Sequence, residues 1–365
     1  MSVQNPREVT AGEPVETGLI NIYSARNLGD AAIMSALGQL SPKGHVVARR
    51  SDDIDEIDVR ALEWAGDTND CDRFVSVGGD IFNNARPNLV TRAFLGNVWQ
   101  LYQRRRKAIL FGQTIPASCQ GAALQLLAGV LRNLPAVVVR DEASHAELRS
   151  HGVDAQLSFD TAFALAPTCS GKQAARSLFE AAELEPERTT LLSVRSFDAL
   201  YPHDREHFVD RMVQLANRLS ERGHQVAVPI QSDVSENDSD RLLANELAGR
   251  SDAISVLDLF APMSDDVDHV ERLVGAMAIA NIVVGVRYHA TVLRLAAGRM
   301  PYNLSYSRKG EDIGRRLSLC GAKLDAFDPE QEIAAIEATA KQDFDVAPVR
   351  AHVRESFARA YGTLH

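Results

Sequence analysis

The amino-acid sequence predicts an α/β protein of two Rossmann-like, doubly wound domains that face one another across a central cleft. Three observations predict this class. The chain has 365 residues, 45% of them hydrophobic and 24% charged, a globular balance at a length typical of about two domains. Short runs rich in β-branched residues alternate with longer amphipathic segments, as in parallel sheets covered by helices. This alternation occurs twice, on either side of a stretch over residues 166–186 that proline and glycine interrupt.

The predicted strands form two series. The first contains Leu19–Tyr23, His45–Arg49, Arg73–Val77, Ala108–Phe111 and Ala136–Val139. The second contains Thr190–Val194, Gln225–Ile230, Ala253–Val256, Ile282–Val286 and Tyr302–Leu304. We therefore predict an N-terminal domain over residues 1–168, with residues 1–17 as a loose tail, and a C-terminal domain over residues 187–345. A C-terminal helix is predicted over residues 346–365.

The composition limits the kinds of partner and ligand that the protein is expected to bind. Lys and Arg total 39 against 49 Asp and Glu, which gives a formal net charge of -10, so nucleic acid is not an expected partner. The four cysteines lie far apart without metal-ligand spacing, and no metal site is predicted. Neither a membrane-spanning segment nor a secretory signal is recognisable, which predicts a cytoplasmic protein. The basic run Arg104–Lys107 is interpreted as a solvated helix end.

Candidate site residues come directly after the predicted strands, because ligands of doubly wound sheets bind beyond the carboxyl ends of the strands. After the first strand, Asn27, Gly29 and Asp30 lead into a helix whose first backbone amides favour an anion or a polar ligand. Asp30 alone would equally serve as a helix cap. The loops after later strands of this domain carry Gly78, Gly79, Asp80, Gln113 and Arg140.

The strongest candidate lies in the second domain. Arg287, Tyr288 and His289 follow a buried strand and precede a helix. A guanidinium and an imidazole beside the positive end of a helix suit a phosphate or carboxylate with a titratable group next to it. A structural histidine at this position is the alternative.

Taken together, these motifs resemble the polysaccharide pyruvyl transferase family in order and spacing, from about Asn21 to Gly321. The residues that carry the resemblance are Asn27, Leu28, Gly29, Asp30, Gly78, Gly79, Gly112, Gln113, Arg140, Asp141, Ser144, Asp160, Phe163, Arg287, Tyr288, His289, Ala290 and Lys309. The second half also looks like the two-domain glycosyltransferase architecture called GT-B, which that family shares.

The resemblance implies transfer of a pyruvyl group from phosphoenolpyruvate to two hydroxyls of a sugar or glycan, giving a cyclic ketal. Phosphoenolpyruvate would be the donor substrate, and no cofactor is expected. The resemblance implies that His289 and Arg287 are catalytic and that Arg140, Arg287 and Lys309 bind the donor, mostly on the C-terminal side of the cleft. The residues expected in acceptor or cleft loops are Asn27, Gly29, Asp30, Gly78, Gly79, Asp80, Gln113 and Tyr288.

The sequence departs from the family pattern at Tyr288, Asp80 and Thr161, where an aliphatic residue, glycine and proline are usual. The first two flank the charged groups, so they bear on the acceptor more than on the donor. Two alternative functions remain open: a nucleotide-sugar glycosyltransferase of the same architecture, and a catalytically silent sugar-binding member. The acceptor could also be a small metabolite.

Overall fold

The computed structural model describes residues 17–41, 46–49, 57, 59–65, 68, 71–84, 89–196, 204–235, 238–264 and 266–364. The predicted tail lies outside these residues except for Thr17, which begins the first strand. None of the helices in the described ranges combines the length and apolarity that a membrane span requires.

The first domain is built on a parallel sheet of seven strands within the described ranges. They are β1 (Thr17–Ile20), β2 (Val46–Arg49), β3 (Glu63–Ala65), β4 (Arg73–Ser76), β5 (Ala108–Gln113), β6 (Val137–Val139) and β7 (Ala155–Leu157). The helices are α1 (Leu28–Leu40), α2 (Arg92–Arg104), α3 (Gly121–Leu131) and α4 (Glu142–Ser150). The strand order is β3-β2-β1-β4-β5-β6-β7. The chain adds strands toward one edge of the sheet up to β3 and toward the other edge from β4 onward, and a doubly wound sheet binds its ligand at this switch between β1 and β4.

The second domain repeats this design. Its strands are β8 (Thr189–Ser193), β9 (Gln225–Ile230), β10 (Asp233–Ser235), β11 (Asp238–Ser239), β12 (Ile254–Asp258), β13 (Ile282–Gly285), β14 (Tyr302–Ser305) and β15 (Gly321–Lys323). The sheet order β12-β9-β8-β13-β14-β15 reverses between β8 and β13, and β10 and β11 form a separate small hairpin. Its helices are α5 (Cys169–Ala181), α6 (Arg205–Glu221), α7 (Asp240–Arg250), α8 (His269–Ile279), α9 (Tyr288–Ala296), α10 (Arg308–Arg316) and α11 (Pro329–Thr339). The two sheets confirm the predicted fold class.

The stretch between the two strand series is helical, where the sequence pattern indicated a break. Thr168 begins α5 by accepting a hydrogen bond from the Gly171 amide at 2.9 Å. Gly171 then lies against α8, because a Cβ on Gly275 would come 2.2 Å from the Gly171 carbonyl oxygen. Gly171 therefore allows two helices to touch and does not interrupt one.

A last helix, α12 (Ala347–Tyr361), returns from the second domain to the first. The Phe357 ring packs edge-on against Phe111 of β5, with centroids 5.1 Å apart. The Tyr361 hydroxyl lies 2.5 Å from the Thr17 hydroxyl of β1. An apolar core that includes Phe357 runs continuously from α1 through α8 and α9, so it joins the two domains.

Candidate active site

A cavity of about 410 Å³ opens between the carboxyl ends of the two sheets. Most of the residues expected at the site line it: Asn27, Gly29, Asp30, Gly79, Asp80, Arg140, Arg287, Tyr288, His289 and Lys309. Side chains that follow strands of both domains thus lie together, because the carboxyl ends of the two facing sheets border the same cavity.

Gly78 and Gln113 lie behind the cavity wall. The Gln113 amide donates to the Gly79 carbonyl at 2.8 Å and so supports the loop after β4 from below. A Cβ on Gly78 would come 2.6 Å from the Gly112 carbonyl oxygen, so glycine permits that loop to approach β5.

Arg140 is the central cation of the first-domain wall and is only 2% exposed. Its Nε donates to the Thr114 hydroxyl at 2.8 Å, its Nη1 to Asp160 Oδ2 at 2.5 Å and its Nη2 to Asp80 Oδ1 at 3.0 Å. Burial by itself lowers the pKa of Arg140, but Asp160, Tyr288 and Asp80 together more than offset this effect and raise the pKa above its usual range. The guanidinium is therefore charged, and each of its three nitrogens has a partner.

Asp160, just beyond β7, links this arginine to the second domain. Its Oδ2 lies 3.5 Å from His289 Nε2, and its Oδ1 accepts from the Ala162 amide at 2.8 Å. Burial by itself raises the pKa of the Asp160 carboxyl. Arg140 and, to a smaller extent, His289 have a larger combined effect in the opposite direction and hold the pKa well below its usual range. Asp160 is thus an anion that lies beside the imidazole.

Asp80 makes the second connection between the domains. Its Oδ2 accepts from Lys309 Nζ of α10, while its Oδ1 accepts from Arg140. Tyr288 lies between these two cations, with its ring centroid 4.8 Å from Arg140 Cζ and 5.5 Å from Lys309 Nζ. The expected convergence of Arg140 and Lys309 is present, with Asp80 between them.

His289 reaches into the cavity at the start of α9. A Cβ on Gly29 would lie 2.2 Å from His289 Nδ1, so only glycine at this position leaves room for the imidazole. Within the described residues, His289 Nε2 has no hydrogen-bond partner, the Asp160 oxygen at 3.5 Å being too far for a good one. This ring nitrogen therefore lies beside an anion without a hydrogen bond of its own, and almost none of its surface is exposed.

Arg287 is anchored by two carboxylates of its own domain. Its Nε donates to Asp240 Oδ2 at 2.8 Å, and its Nη2 donates to Asp240 Oδ1 at 2.5 Å and to Asp238 Oδ1 at 3.1 Å. Asp240 in turn accepts from the Gln231 and Ser232 amides, both at 3.0 Å. Within the described ranges, Nη1 of Arg287 makes no hydrogen bond, so this is the nitrogen that remains for a ligand.

Asp30 adds a carboxylate of different character. Enclosure by the cavity walls raises the pKa of its carboxyl to about 6, against the lowering influence of His289, Arg140 and Lys309. The side chain therefore changes its charge close to neutral pH, which suits a group that accepts and releases protons.

Several residues at the cavity were absent from the predicted set. Arg195, Gln231 and Tyr306 follow β8, β9 and β14, so the strand-end rule applied to every second-domain strand would have found them. Arg195 donates from Nη1 to the Tyr306 hydroxyl at 2.5 Å. Asp238 belongs to the β10–β11 hairpin, which is too short to leave a periodic signal.

Backbone hydrogen bonds tie the two walls together near Asn27. The Leu28 amide donates to the Gln231 carbonyl at 2.9 Å, and the Asp233 amide donates to the Arg26 carbonyl at 3.0 Å. Asn27 itself caps α1 by accepting from the Gly29 amide at 3.1 Å. The start of α1, which carries Gly29 and Asp30, is thereby fixed against the second domain.

Within the described part of the chain, no group of three or more His, Cys, Asp or Glu side chains is suited to a metal ion. No curated protein matches the sequence significantly. Among solved structures, UDP-N-acetylglucosamine 2-epimerase from Rickettsia bellii is similar, with a TM-score of 0.56 at 10% identity, over 95% of this chain and 96% of that one. A Listeria monocytogenes protein assigned the same activity has a TM-score of 0.56 at 11% identity, over 95% of each chain.

These similarities show the GT-B-like arrangement of two Rossmann-like domains and no more. The family to which the chain belongs is shown by its sequence. The family model described as polysaccharide pyruvyl transferase matches residues 27–308, which include every residue that lines the cavity except Ile22, Tyr23 and Lys309. The chain belongs to the polysaccharide pyruvyl transferase family.

Proposed function

We propose that the protein transfers the pyruvyl group of phosphoenolpyruvate to two hydroxyls of a sugar or glycan and forms a cyclic ketal. One observation carries this proposal: Arg140, Lys309 and His289 converge from two domains on the same pair of carboxylates, Asp80 and Asp160. Such a site combines cations for an anionic donor with a group that can transfer a proton. Phosphoenolpyruvate is a substrate in this scheme, so no cofactor is required.

The donor carries a phosphate and a carboxylate, and the second-domain wall has the cations to bind both. Arg287 offers Nη1, and Arg195 and Lys309 line the same cavity. Because the guanidinium of Arg287 is held rigidly by Asp240, little conformational entropy is lost when an anion binds to it. We assign Arg287, Arg195 and Lys309 to the donor, and Arg140 to the orientation of Asp160 and Asp80.

The first chemical step is protonation of the donor's methylene carbon by His289. This makes the CH2 a CH3 and leaves an oxocarbenium-like centre at the adjoining carbon. The oxygen of one acceptor hydroxyl bonds to that centre and its proton leaves, which gives a tetrahedral ketal phosphate. The Asp160 carboxylate stabilises the protonated imidazole beforehand by its negative charge.

The second step exchanges phosphate for the other hydroxyl. The carbon–oxygen bond to phosphate breaks, phosphate leaves with one proton, and the second hydroxyl oxygen bonds to the same carbon and loses its proton. Of the two hydroxyl protons, one returns to His289 and one leaves with phosphate. Asp30, with a pKa of about 6, is the group that we propose to take the second of these protons from the acceptor hydroxyl and to pass it to the leaving phosphate.

Thermal unfolding in the presence of candidate donors tests the proposal, because a ligand that binds only the folded state raises Tm. Phosphoenolpyruvate should raise Tm more than UDP-sugars or GDP-sugars do. Inorganic phosphate and pyruvate serve as controls for the two halves of the donor. A nucleotide sugar that raises Tm while phosphoenolpyruvate has no effect would favour the glycosyltransferase alternative.

Turnover separates an enzyme from a silent sugar-binding member. Release of phosphate from phosphoenolpyruvate should depend on an acceptor, tested with methyl glycosides that offer neighbouring or 1,3-related hydroxyl pairs. Phosphoenolpyruvate binding without phosphate release across glycosides, glycans and small diols would contradict the enzymatic proposal.

A further inference from the structure

The charge of the chain is distributed unevenly. Residues 81–140 contain no Asp or Glu, although the chain has 49 of them, and contain eight Lys and Arg. This segment includes α2 and α3, which cover the same side of the first sheet and share one apolar core. Of these eight, Arg140 is buried in the cavity wall, and four others form the run Arg104–Lys107 at the end of α2. The end of α2 is therefore locally basic in a protein whose formal net charge is -10.

The solvent side of α2 is also apolar. Leu95, Trp99 and Tyr102 are 43%, 56% and 42% exposed, and their spacing of four and three residues places them in one stripe along the helix. The Trp99 and Tyr102 rings stack with centroids 5.4 Å apart. The core of the domain does not account for this stripe, because α2 buries other residues, Phe94 and Val98 among them, against the sheet.

The basic run lies at the end of the same helix. Arg105 places its guanidinium 4.4 Å from the Tyr102 ring centroid, so the charge is directly beside the stripe. Arg106 and Lys107 are exposed and make no ion pair within the described ranges. Leu89 before α2 and Leu126 on α3, at 57% and 40% exposed, extend the apolar character on this side of the domain.

We propose that this surface, defined by Leu95, Trp99, Tyr102, Arg105, Arg106 and Lys107, binds the protein to the surface of an anionic lipid bilayer. Trp and Tyr favour the interfacial layer because their rings are apolar and their polar ends remain in contact with water. Exposed basic residues near the surface are attracted to anionic headgroups. An amphipathic helix with Trp and Leu beside Arg and Lys has the composition of helices that lie in the interface plane.

Binding in this way gives the molecule an orientation. The acidic remainder of the surface is repelled by anionic headgroups, so only the α2 side approaches the bilayer. The other side of α2 contributes Ala93 and Asn97 to the cavity, so the cavity of a bound molecule lies one helix away from the lipid surface. This inference does not depend on the donor or on the reaction proposed above.

Sedimentation of the full chain with vesicles tests the inference. The protein should sediment with vesicles of phosphatidylcholine and phosphatidylglycerol and remain in solution with phosphatidylcholine alone. Added salt should release it, because exposed charges are screened. Removing two charges in the variant Arg106→Gln/Lys107→Gln should weaken binding about fivefold per charge.

The apolar stripe is tested with Trp99→Ser/Tyr102→Ser, which should abolish sedimentation while Tm stays unchanged. Two matched variants should bind as the unaltered protein does: Leu242→Ser, which changes an equally exposed leucine on α7, and Lys172→Gln/Lys341→Gln, which removes two exposed lysines elsewhere. In a Trp64→Phe background, Trp99 is the sole tryptophan, and its emission should shift to shorter wavelength when anionic vesicles are added.

Failure to bind anionic vesicles at low salt would overturn the inference. Binding that both surface variants retain would also overturn it. A third result would point to another occupant: if the free protein is a dimer that Trp99→Ser/Tyr102→Ser dissociates and vesicles do not bind, a second copy covers the stripe and the lipid proposal is wrong.

Discussion

Each wall of the cavity has an arginine held by two carboxylates, buried in the case of Arg140 and partly buried in the case of Arg287, yet the two arginines differ in the nitrogens that remain unpaired. On the first-domain wall, the contacts to Thr114, Asp160 and Asp80 use all three nitrogens of Arg140. On the second-domain wall, Arg287 is anchored through Nε and Nη2, and Nη1 remains open. The number of ion pairs therefore does not decide whether an arginine can bind substrate; the direction of the remaining donor does.

The largest effect should follow from removing the proton-transfer group between the walls. In His289→Ala, kcat for phosphate release should fall about 100-fold to 10,000-fold with little change in phosphoenolpyruvate binding, because a proton donor is lost and the cations stay. Exposed His207 on α6 supplies the control variant, His207→Ala, which should keep normal kcat. An unchanged rate in folded His289→Ala would move the proton-donor role to Tyr288 or a carboxylate.

A second variant tests whether the close contact between Gly29 of the first-domain wall and His289 of the second-domain wall is required for activity. In Gly29→Ala, the new methyl group would meet the His289 imidazole at 2.2 Å and displace it, which should lower kcat about 100-fold. Gly96→Ala in α2 is the matched control, since a Cβ there meets no atom within 4 Å and should leave kcat intact and Tm equal or slightly higher. Normal kcat in Gly29→Ala would show that the imidazole position is not restricted by α1.

The third variant addresses the pairing of Arg140 directly. Asp80→Asn removes a negative charge beside Arg140 and Lys309, so phosphoenolpyruvate should bind about tenfold more tightly because less repulsion opposes its phosphate. Asp154→Asn removes an exposed partner of Arg149 and should leave the donor Kd unchanged, as measured by calorimetry. Weaker donor binding in Asp80→Asn would instead make Asp80 a group that positions Lys309 for the donor.

The smallest effect concerns stability. The pKa of Asp30 is about 6 in the folded protein against an ordinary 3.8, so the folded state retains this proton to higher pH than the unfolded state. The corresponding stability is complete below about pH 4 and is lost as pH rises through 6. Asp30→Asn should therefore raise the free energy of unfolding by about 3 kcal/mol at pH 8 and change it little at pH 4.

Denaturant unfolding at the two pH values measures this difference, with Asp154→Asn as the exposed control. If Asp30 also accepts a proton from the acceptor, Asp30→Asn gains stability and loses kcat together. Equal stability changes at pH 4 and pH 8 would contradict a raised pKa at Asp30.

Sequence reasoning predicted which residues line the cavity because topology fixes where strand ends lie. Parallel strands in a doubly wound sheet direct their carboxyl ends to one edge, so Asp30 and Arg140 lie together at the edge of the first sheet. Arg287 follows a strand of the second sheet, and it meets them because the two sheets face one another. Sequence reasoning missed α5, since the isolated sequence shows Gly171 as an interruption and hides its contact with α8. The sequence did not predict the pairing of Arg287 with Asp240 either. The two residues lie 47 positions apart in the chain, and Asp240 follows a hairpin that has no periodic pattern.

The return of α12 to the first domain makes the second domain an insertion within the first. The chain passes between domains once before α5 and again before α12, and the core that contains Phe357 continues across the boundary. Loss of packing in one domain exposes apolar surface of the other, so we expect unfolding of either domain to destabilise its neighbour. A destabilising substitution in either domain, even far from the cavity, should therefore lower the stability of the cavity as a whole.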